Sequence, residues 1–504
     1  MESFMGRKET YDDLIKEIGE VEIMSQIGSL LSWDQEVMMP ENGGALRAEQ
    51  LAWITKAIHE KITEPKMGDM LDLLESEDGY NEIQEANIRL IREQYDKATK
   101  KPSWFVEELA RHNSKSLKSW QKARAEDDFS IFRDDLEKMI DFNRKLADFL
   151  GWENNRYDAL LDIYETGLTV EQVDPLFAGL RESLVPLVKN VIEKGKQKGD
   201  AWIDENVFPI KSQENISHYV AEALGFNFDA GRRDKSTHPF CGGPNPDDVR
   251  WTTRYDVNEP FGSLYGSMHE VGHALYEQGR PRELDLQPAG HAVSLGIHES
   301  QSRLWENQIG RSLEFCEWVL PLWKKEFPHM SETTVEQFWR AVNRTEPSLI
   351  RVEADEATYN LHIMIRYEIE KKLINGELEV DDLPNAWNDA YETYLGIKSP
   401  NNTLGVLQDV HWSMGAFGYF PTYTLGNLYA AQLLEAARKD ITDLDDQVRQ
   451  GEFTSLLDWM RKHIHSKGSI LKPEDLILEV TGNIPSPEPF VNYLRSKLET
   501  LYAI

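Results

Sequence analysis

The stretch SMHEVGHALYEQG, residues 267–279, places two histidines four positions apart with a glutamate directly after the first. Apolar residues recur in and just before it at steps of four, three and four: Leu264, Met268, Val271 and Leu275. This is the spacing of the buried face of an amphipathic helix, and Gly279 followed by Pro281 is a typical helix end. The stretch therefore predicts a largely buried helix that carries two histidines.

The two histidines and the glutamate form a His-Glu-x-x-His pattern. His269 and His273 lie one turn apart, about 40° around the axis, so both rings project from one face of the helix. Two such imidazoles can share a tetrahedral zinc ion, and Glu270 can take a proton from a water that attacks a peptide bond. A chance match on an ordinary helix is the alternative, and a third ligand decides between the two.

The third ligand must come from elsewhere in the chain. The Gly and His that follow this pattern at three and six positions in one class of metallopeptidases are replaced by Tyr276 and Gly279. The next predicted helix, within HAVSLGIHESQSRLWENQIG (291–310), offers Glu299 on a face shared with Leu295, Ser302 and Arg303. Two histidines with one glutamate are typical of hydrolytic zinc sites and leave a fourth position for water. We therefore favour Glu299, with three alternatives: His291, His298 and Glu306.

The composition excludes several classes of partner. The 504 residues carry a formal net charge of −32, which disfavours nucleic acid and anionic membranes. Two cysteines, Cys241 and Cys316, do not suggest a disulfide framework. The N-terminal segment is polar, and no window approaches the roughly 20 apolar residues that span a bilayer. We expect a cytoplasmic protein with neither nucleic-acid nor membrane partners.

Most of the chain shows helical periodicity. Thr10 is the predicted N-cap of the first helix, residues 83–150 predict further long helices, and later helices are expected at 333–345, 354–374 and 425–438. The exception is DVRWTTRYDV (248–257), where apolar and β-branched residues alternate, which predicts a strand or hairpin in a small β-sheet. We expect this strand to form a wall to which an extended peptide adds by main-chain pairing. Without repeats or obvious linkers, residues 1–504 are predicted to form a single domain with a metal-binding core at about 238–425.

Further motifs lie in order along the chain. They are WDQEVMMPENGGALRAEQL (33–51), HPF (238–240), DVRWT (248–252), HEVGH (269–273), HESQ (298–301), IRVEAD (350–355) and GVLQDVHW (405–412). In type and spacing this series resembles the M32 metallocarboxypeptidases, the carboxypeptidase Taq family.

The resemblance implies a mainly α fold with a deep active-site groove, of the gluzincin architecture of neurolysin and angiotensin-converting enzyme. It also implies a homodimer that removes single C-terminal amino acids from peptides with broad specificity. By carry-over, His269, His273 and Glu299 are metal ligands and Glu270 is the general base. One divalent metal per subunit is expected, either zinc or cobalt.

A carboxypeptidase must hold the free C-terminal carboxylate of its substrate, and an arginine fork suits that group. Arg351 is the preferred candidate and Arg250 the second, although a structural salt bridge from Arg250 to Asp248 or Asp355 is an equal alternative. Asp355 can instead orient a ligand histidine. His238 either lines the groove or is a turn residue before a proline.

The segment that follows GVLQDVHW suggests oxyanion stabilisation. His411 and Tyr423 resemble the His and Tyr donors of related gluzincins, which bind the oxygen of the tetrahedral intermediate. Tyr419 competes for the Tyr role, and packing in the core is the alternative for both positions. Asp409 and Gln408 are expected to be structural or supporting residues.

Three functions follow from these features. The leading prediction is a metal-dependent carboxypeptidase that acts on peptides. The first alternative is an oligopeptidase that cleaves internal bonds of short peptides, since the same helical fold hosts both. The second is an inactive helical scaffold, which the presence of all three ligands and the base argues against.

Overall fold

The computed structural model describes residues 2–194 and 206–503, and helices form most of it, as predicted. The helices before the sheet are α1 (Glu2–Val37), α2 (Gly44–Ile62), α3 (Pro65–Glu75), α4 (Glu82–Thr99), α5 (Ser103–Glu126), α6 (Ser130–Leu150), α7 (Asp158–Tyr164), α8 (Val170–Lys194) and α9 (Ile210–Ala223). The strands are β1 (Gly231–Lys235), β2 (Cys241–Asn245) and β3 (Asp248–Thr253).

The helices after the sheet carry most of the candidate site. They are α10 (Pro260–Gly279), α11 (Leu295–Arg303), α12 (Leu313–Glu326), α13 (Val335–Val342), α14 (Glu356–Asn375), α15 (Leu383–Leu395), α16 (Pro421–Asp440), α17 (Leu444–Gln450), α18 (Thr454–His463), α19 (Pro473–Thr481) and α20 (Glu488–Tyr502). A π-helical turn at Leu304–Ile309 continues α11. Each of the three later helices predicted from the sequence is present.

Local signals set many helix ends. Asn81 begins α4 through a reciprocal capping box with Gln84, and Gly151 ends α6 with a φ of 93°. The prediction that Thr10 caps the first helix is wrong, because α1 already begins at Glu2. Residues 2–9 contain no proline that would stop a helix before Thr10.

The predicted strand is shorter than expected and lies in the middle of its sheet. The order is β1-β3-β2, with β3 parallel to β1 and antiparallel to β2. Val249, Trp251 and Thr253 are buried as the alternation predicts, but Thr252 is buried as well, and the strand ends at Thr253. Because β3 pairs along both edges, the expectation that a peptide adds to it is wrong.

One large apolar core joins the sheet to the helices from α5 onward, and a smaller cluster packs α1, α3 and α4 together. The predicted stripe on α10 lies in the large core: Leu264, Met268 and Val271 are each 1% exposed and Leu275 is fully buried. Helix α16 lies against α11, where a Cβ added to Gly426 would lie 2.5 Å from Cγ of Glu299. Within the described residues, no helix is both long and apolar enough to cross a membrane.

Candidate active site

Helices α10 and α11 bring three potential metal ligands together. Nε2 of His269 and Nε2 of His273 lie 3.7 and 3.5 Å from Oε2 of Glu299. The donor atoms of all three residues lie within 4.8 Å of one another. Ligand bonds of about 2.1 Å in a tetrahedron place neighbouring donors roughly 3.4 Å apart, so the observed spacing fits one zinc-sized ion.

A glycine allows the two helices to approach this closely. A Cβ added to Gly272, between the two histidines, would lie only 2.6 Å from Cα of Ser302. Any larger side chain at this position would therefore push α11, and with it Glu299, away from the histidines.

The outer ring nitrogens of both histidines are occupied by acceptors. Nδ1 of His269 lies 2.9 Å from Oε2 of Glu306. Nδ1 of His273 lies 2.6 Å from Nδ1 of His298 and 3.1 Å from the carbonyl oxygen of the same residue. With the proton on Nδ1, each ring directs the lone pair of its Nε2 at Glu299. This is the tautomer that a metal ligand requires.

The surroundings of the cluster favour the metal-binding form of Glu299 and of His273. Burial opposes ionisation of Glu299, but the guanidinium of Arg303, with Nε 2.7 Å from Oε1, holds the pKa of this carboxyl well below its usual range. Burial lowers the pKa of His273 to about 4, so its ring is neutral at pH 7. Burial also acts to lower the pKa of His269, but the charges of Glu299 and Glu306 outweigh it and raise that pKa. A neutral imidazole and an ionised carboxylate are the states that bind a divalent ion.

The three alternative ligands lie outside the cluster. His291 is 40% exposed and its Nε2 lies 3.1 Å from Glu22. Nε2 of His298 lies 2.8 Å from Oε1 of Glu277, and Glu306 contacts the outer nitrogen of His269. His298 and Glu306 therefore support the histidines, and His291 is remote from them.

Glu270 lies next to the cluster on α10 and is only 6% exposed. Burial raises its pKa to about 7, although the charge of His269 acts in the opposite direction. A carboxyl group with a pKa near neutrality is suited to take up and release a proton.

The two candidate arginines differ in their partners. Arg250 donates from Nε and Nη2 to the two carboxylate oxygens of Asp248, both at 2.7 Å. This is the salt bridge considered as the alternative for Arg250, and it uses the fork that a substrate carboxylate would need.

Arg351 is 4% exposed and is only partly engaged. Its Nε and Nη2 donate to Asp409 at 3.2 and 3.0 Å, and its Nη1 donates to the hydroxyl of Tyr359 at 3.0 Å. A guanidinium carries five N–H groups. Its other two N–H groups have no acceptor within the described part of the chain, so Arg351 retains donors for a carboxylate.

His238 lies in an exposed loop, where Ser236 donates to its carbonyl oxygen at 2.6 Å. Its pKa is lowered by partial burial and by the charges of Arg254, Arg351 and His269. The expectation that Asp355 orients a ligand histidine is wrong. Its Oδ1 accepts from the backbone N–H groups of Ala357 and Thr358, so it caps α14.

The proposed oxyanion donors contact one another and Phe420 through their rings. The ring of His411 lies 4.5 Å from that of Phe420, and burial lowers its pKa to about 4, so the ring is neutral at pH 7. The rings of Tyr423 and Tyr419 meet edge-on with their centroids 5.3 Å apart. Burial raises the pKa of both hydroxyls, and the charge of Glu299 adds to this effect. Both tyrosines therefore remain candidates.

Asp409 and Gln408 support other residues, as predicted. Asp409 accepts from Arg351 and Arg366, and Oε1 of Gln408 accepts from the backbone N–H of Arg351 at 2.9 Å.

Sequence reasoning missed Tyr359, whose ring lies 4.4 Å below the guanidinium of Arg303 and whose hydroxyl meets Arg351. No local pattern marks it. The sequence does contain one signal for the contact between Glu306 and Nδ1 of His269. Glu306 follows Glu299 by seven residues, or two helical turns.

Comparisons with known proteins identify the family of the chain. A family model described as Carboxypeptidase Taq (M32) metallopeptidase matches residues 13–498. Thermostable carboxypeptidase 1 of Thermus thermophilus is 41% identical and covers 98% of this chain and 99% of its own. Carboxypeptidase 1 of Bacillus subtilis is 39% identical over the full length of both chains.

Solved structures show the same fold. The M32 carboxypeptidase from Deinococcus radiodurans superposes with a TM-score of 0.95 at 36% identity, covering 98% of this chain and 100% of that one. The carboxypeptidase of Pyrococcus furiosus gives a TM-score of 0.95 at 36% identity, covering 97% and 99%. The chain therefore belongs to the Carboxypeptidase Taq (M32) metallopeptidase family, as its motifs predicted, and is a metallocarboxypeptidase.

Proposed function

We propose that the protein releases single amino acids from the C-termini of peptides with broad side-chain tolerance, using one metal ion held by His269, His273 and Glu299. The observation that carries this proposal is the spacing of the three donor atoms, and the unused donors of Arg351 support it. Zinc is the proposed metal and cobalt the alternative, because both accept two nitrogen donors and one oxygen donor.

The chain's residues divide the chemistry among them. A divalent ion at this site would supply Lewis acidity to the attacking water and the scissile carbonyl. Glu270 takes the proton of the water and passes it to the leaving amine. His411, together with Tyr423 or Tyr419, donates hydrogen bonds to the oxygen of the tetrahedral intermediate as its charge develops.

We assign to Arg351 the role of restricting cleavage to the C-terminal peptide bond. Its two spare N–H groups bind the terminal carboxylate, while Asp409 and Tyr359 keep the guanidinium in place. His238 lines the same part of the groove. Arg250 keeps its side chain on Asp248 and contributes to the wall rather than to the carboxylate.

Several broader properties are proposed on the family resemblance. They are a single peptidase domain of gluzincin architecture, a homodimer, and a cytoplasmic location. The dimer is tested by measuring the molar mass in solution at several protein concentrations.

A pair of peptides tests the activity. One peptide has a free C-terminal carboxylate, and its partner has the same sequence with a C-terminal amide. We expect mass spectrometry to show a ladder that shortens from the C-terminus of the first peptide and no change in the second. Internal fragments, or cleavage of the amide at the same rate, would instead support the oligopeptidase.

A further inference from the structure

Glu370 is a fully buried carboxyl group on α14 that receives three hydrogen bonds. Nε1 of Trp412 donates to its Oε1 at 2.7 Å, and the backbone N–H of Gly418 donates to its Oε2 at 2.8 Å. The hydroxyl of Tyr157 donates to Oε2 at 2.5 Å. Two of the three donors belong to one short segment, residues 411–418, which we term the His411 turn.

The His411 turn is closed by its own hydrogen bonds. The backbone N–H of Ala416 donates to the carbonyl of His411 at 3.0 Å, and the ring of Trp412 stacks on that of Phe417 at 6.1 Å. At its end, Gly418 has a φ of 88°, and a Cβ there would lie 2.6 Å from the backbone of Leu160. The turn is therefore tightly confined between α7 and α14.

The two ends of this turn are next to the proposed oxyanion donors. His411 opens the turn, Tyr419 follows it directly, and Tyr423 lies one helical turn further on. Glu370 accepts hydrogen bonds from Trp412, which follows His411, and from Gly418, which precedes Tyr419. A change at Glu370 therefore reaches both donors through the backbone.

A second side chain of α14, that of Arg366, holds the segment before the His411 turn. Arg366, one helical turn before Glu370, donates from Nε to Asp409 at 2.6 Å and from Nη2 to Gln408 at 2.8 Å. His411 thus lies between an anchor at Gln408–Asp409 and the anchor provided by Glu370.

We propose that Glu370 is a positioning residue that sets the geometry of the oxyanion donors His411 and Tyr423 or Tyr419; this rests on the proposed function of those residues. Trp412 Nε1–H and Gly418 N–H can only donate, and they meet different oxygens of Glu370. Both oxygens must therefore accept. In Glu370→Gln an amide NH₂ faces one of these donors, which leaves a buried N–H unpaired and displaces one end of the turn.

Glu165 provides a matched control, because it is also a buried carboxyl group. Its Oε1 accepts from the hydroxyl of Ser294 at 2.9 Å, and its Oε2 accepts from the backbone N–H of Gly296 at 2.9 Å. The hydroxyl of Tyr429 also hydrogen-bonds to Glu165. Of these three partners only Gly296 is restricted to donating, since a hydroxyl can also accept. In Glu165→Gln the amide oxygen can face Gly296 and the amide NH₂ can face Ser294, so both contacts survive.

The test compares Glu370→Gln, Glu165→Gln and His411→Gln in the metal-loaded enzyme. We expect Glu370→Gln to lower kcat by about 10- to 100-fold, while KM and metal content stay within about twofold. Its affinity for a phosphinic peptide that mimics the tetrahedral intermediate should fall by the same factor as kcat/KM. Glu165→Gln should leave all of these quantities within about twofold of the parent. The double variant Glu370→Gln/His411→Gln should be little slower than His411→Gln alone, because both changes act on the same donor.

The outcomes separate the two proposals. If His411→Gln leaves kcat unchanged, the oxyanion role of His411 is wrong. If His411→Gln is slow and Glu370→Gln is not, only the positioning role of Glu370 is wrong. The same conclusion follows if Glu165→Gln loses as much activity as Glu370→Gln. It also follows if the loss in the double variant equals the product of the two single losses. Should Glu370→Gln not fold, Tyr157→Phe removes the third donor instead, with an expected loss in kcat of about two- to fivefold; no loss there would overturn the proposal.

Discussion

The metal cluster and the His411 turn are held by different kinds of contact. His269 and His273 are fixed by one helix, and Glu299 by the next, with Gly272 setting the distance between them. His411 is held by side chains on α14 that lie more than 40 positions away in the chain, Arg366 through Asp409 and Glu370 through Trp412. Metal binding and oxyanion stabilisation should therefore be separable by mutation.

The largest effect should come from Glu270→Gln, which removes the base and leaves every proposed ligand in place. We expect kcat to fall by about 10²- to 10⁴-fold, because proton transfer is lost. Metal content, measured by atomic emission on the same sample, should equal that of the parent. Retained activity would show that another group takes the proton.

The next effect should come from the donors in and after the His411 turn. Removing a donor to a developing oxyanion lowers kcat by about 10²- to 10³-fold, so we expect such a loss in His411→Gln and in one of Tyr423→Phe and Tyr419→Phe. Steady-state kinetics of the three variants identify the tyrosine that donates. Metal content should be unchanged in all of them, and a loss of metal would contradict the division between the two regions.

A smaller effect should distinguish the two arginines. Arg351→Lys keeps the charge but removes the fork, so kcat/KM on a peptide with a free carboxylate should fall by about 10- to 100-fold. Arg250→Lys should change it by less than about threefold, because that side chain is occupied by Asp248. The reverse order would reassign the carboxylate site to the strand.

The smallest effect concerns the helix that carries Glu299. Burial raises the pKa of Glu165, which contacts the start of α11, from 4.5 to about 7. The folded state therefore holds this proton more tightly than the unfolded state. The resulting stabilisation is fully present below about pH 4.5 and is lost as the pH rises through 7.

Glu165→Gln removes that titration. Relative to the variant, the parent should lose on the order of 3 kcal/mol of stability between pH 4.5 and pH 8, a change of a few degrees in Tm. Thermal unfolding of both proteins across this range measures it. A difference in Tm that does not vary with pH would show that Glu165 is ionised in the folded state throughout.

The parts of the site that follow helical periodicity could be predicted from the sequence. The four-residue step from His269 to His273 fixes a common face, and the buried stripe of α10 fixes how that face is oriented. Glu299 could be placed because its helix follows directly and because zinc chemistry restricts the third ligand.

The remaining parts depend on contacts between distant segments. Nothing in the sequence around Tyr359 predicts that its ring supports Arg303 while its hydroxyl binds Arg351. The alternation in DVRWTTRYDV predicts a strand but not its neighbours, so the central position of β3 was missed. The sequence does not distinguish Asp248 from Asp355 as the partner of Arg250, since only the folded chain shows that Asp355 caps a helix.

The assignment of the metal ligands is tested most directly by the metal content of Glu299→Ala. It is compared with the metal content of the parent and of His291→Gln, after dialysis against a trace of zinc. We predict close to one ion per chain in the parent and in His291→Gln, whose side chain lies outside the cluster, and well below one in Glu299→Ala. Full metal content in Glu299→Ala, or its loss in His291→Gln, would contradict the assignment of His269, His273 and Glu299 as the metal site.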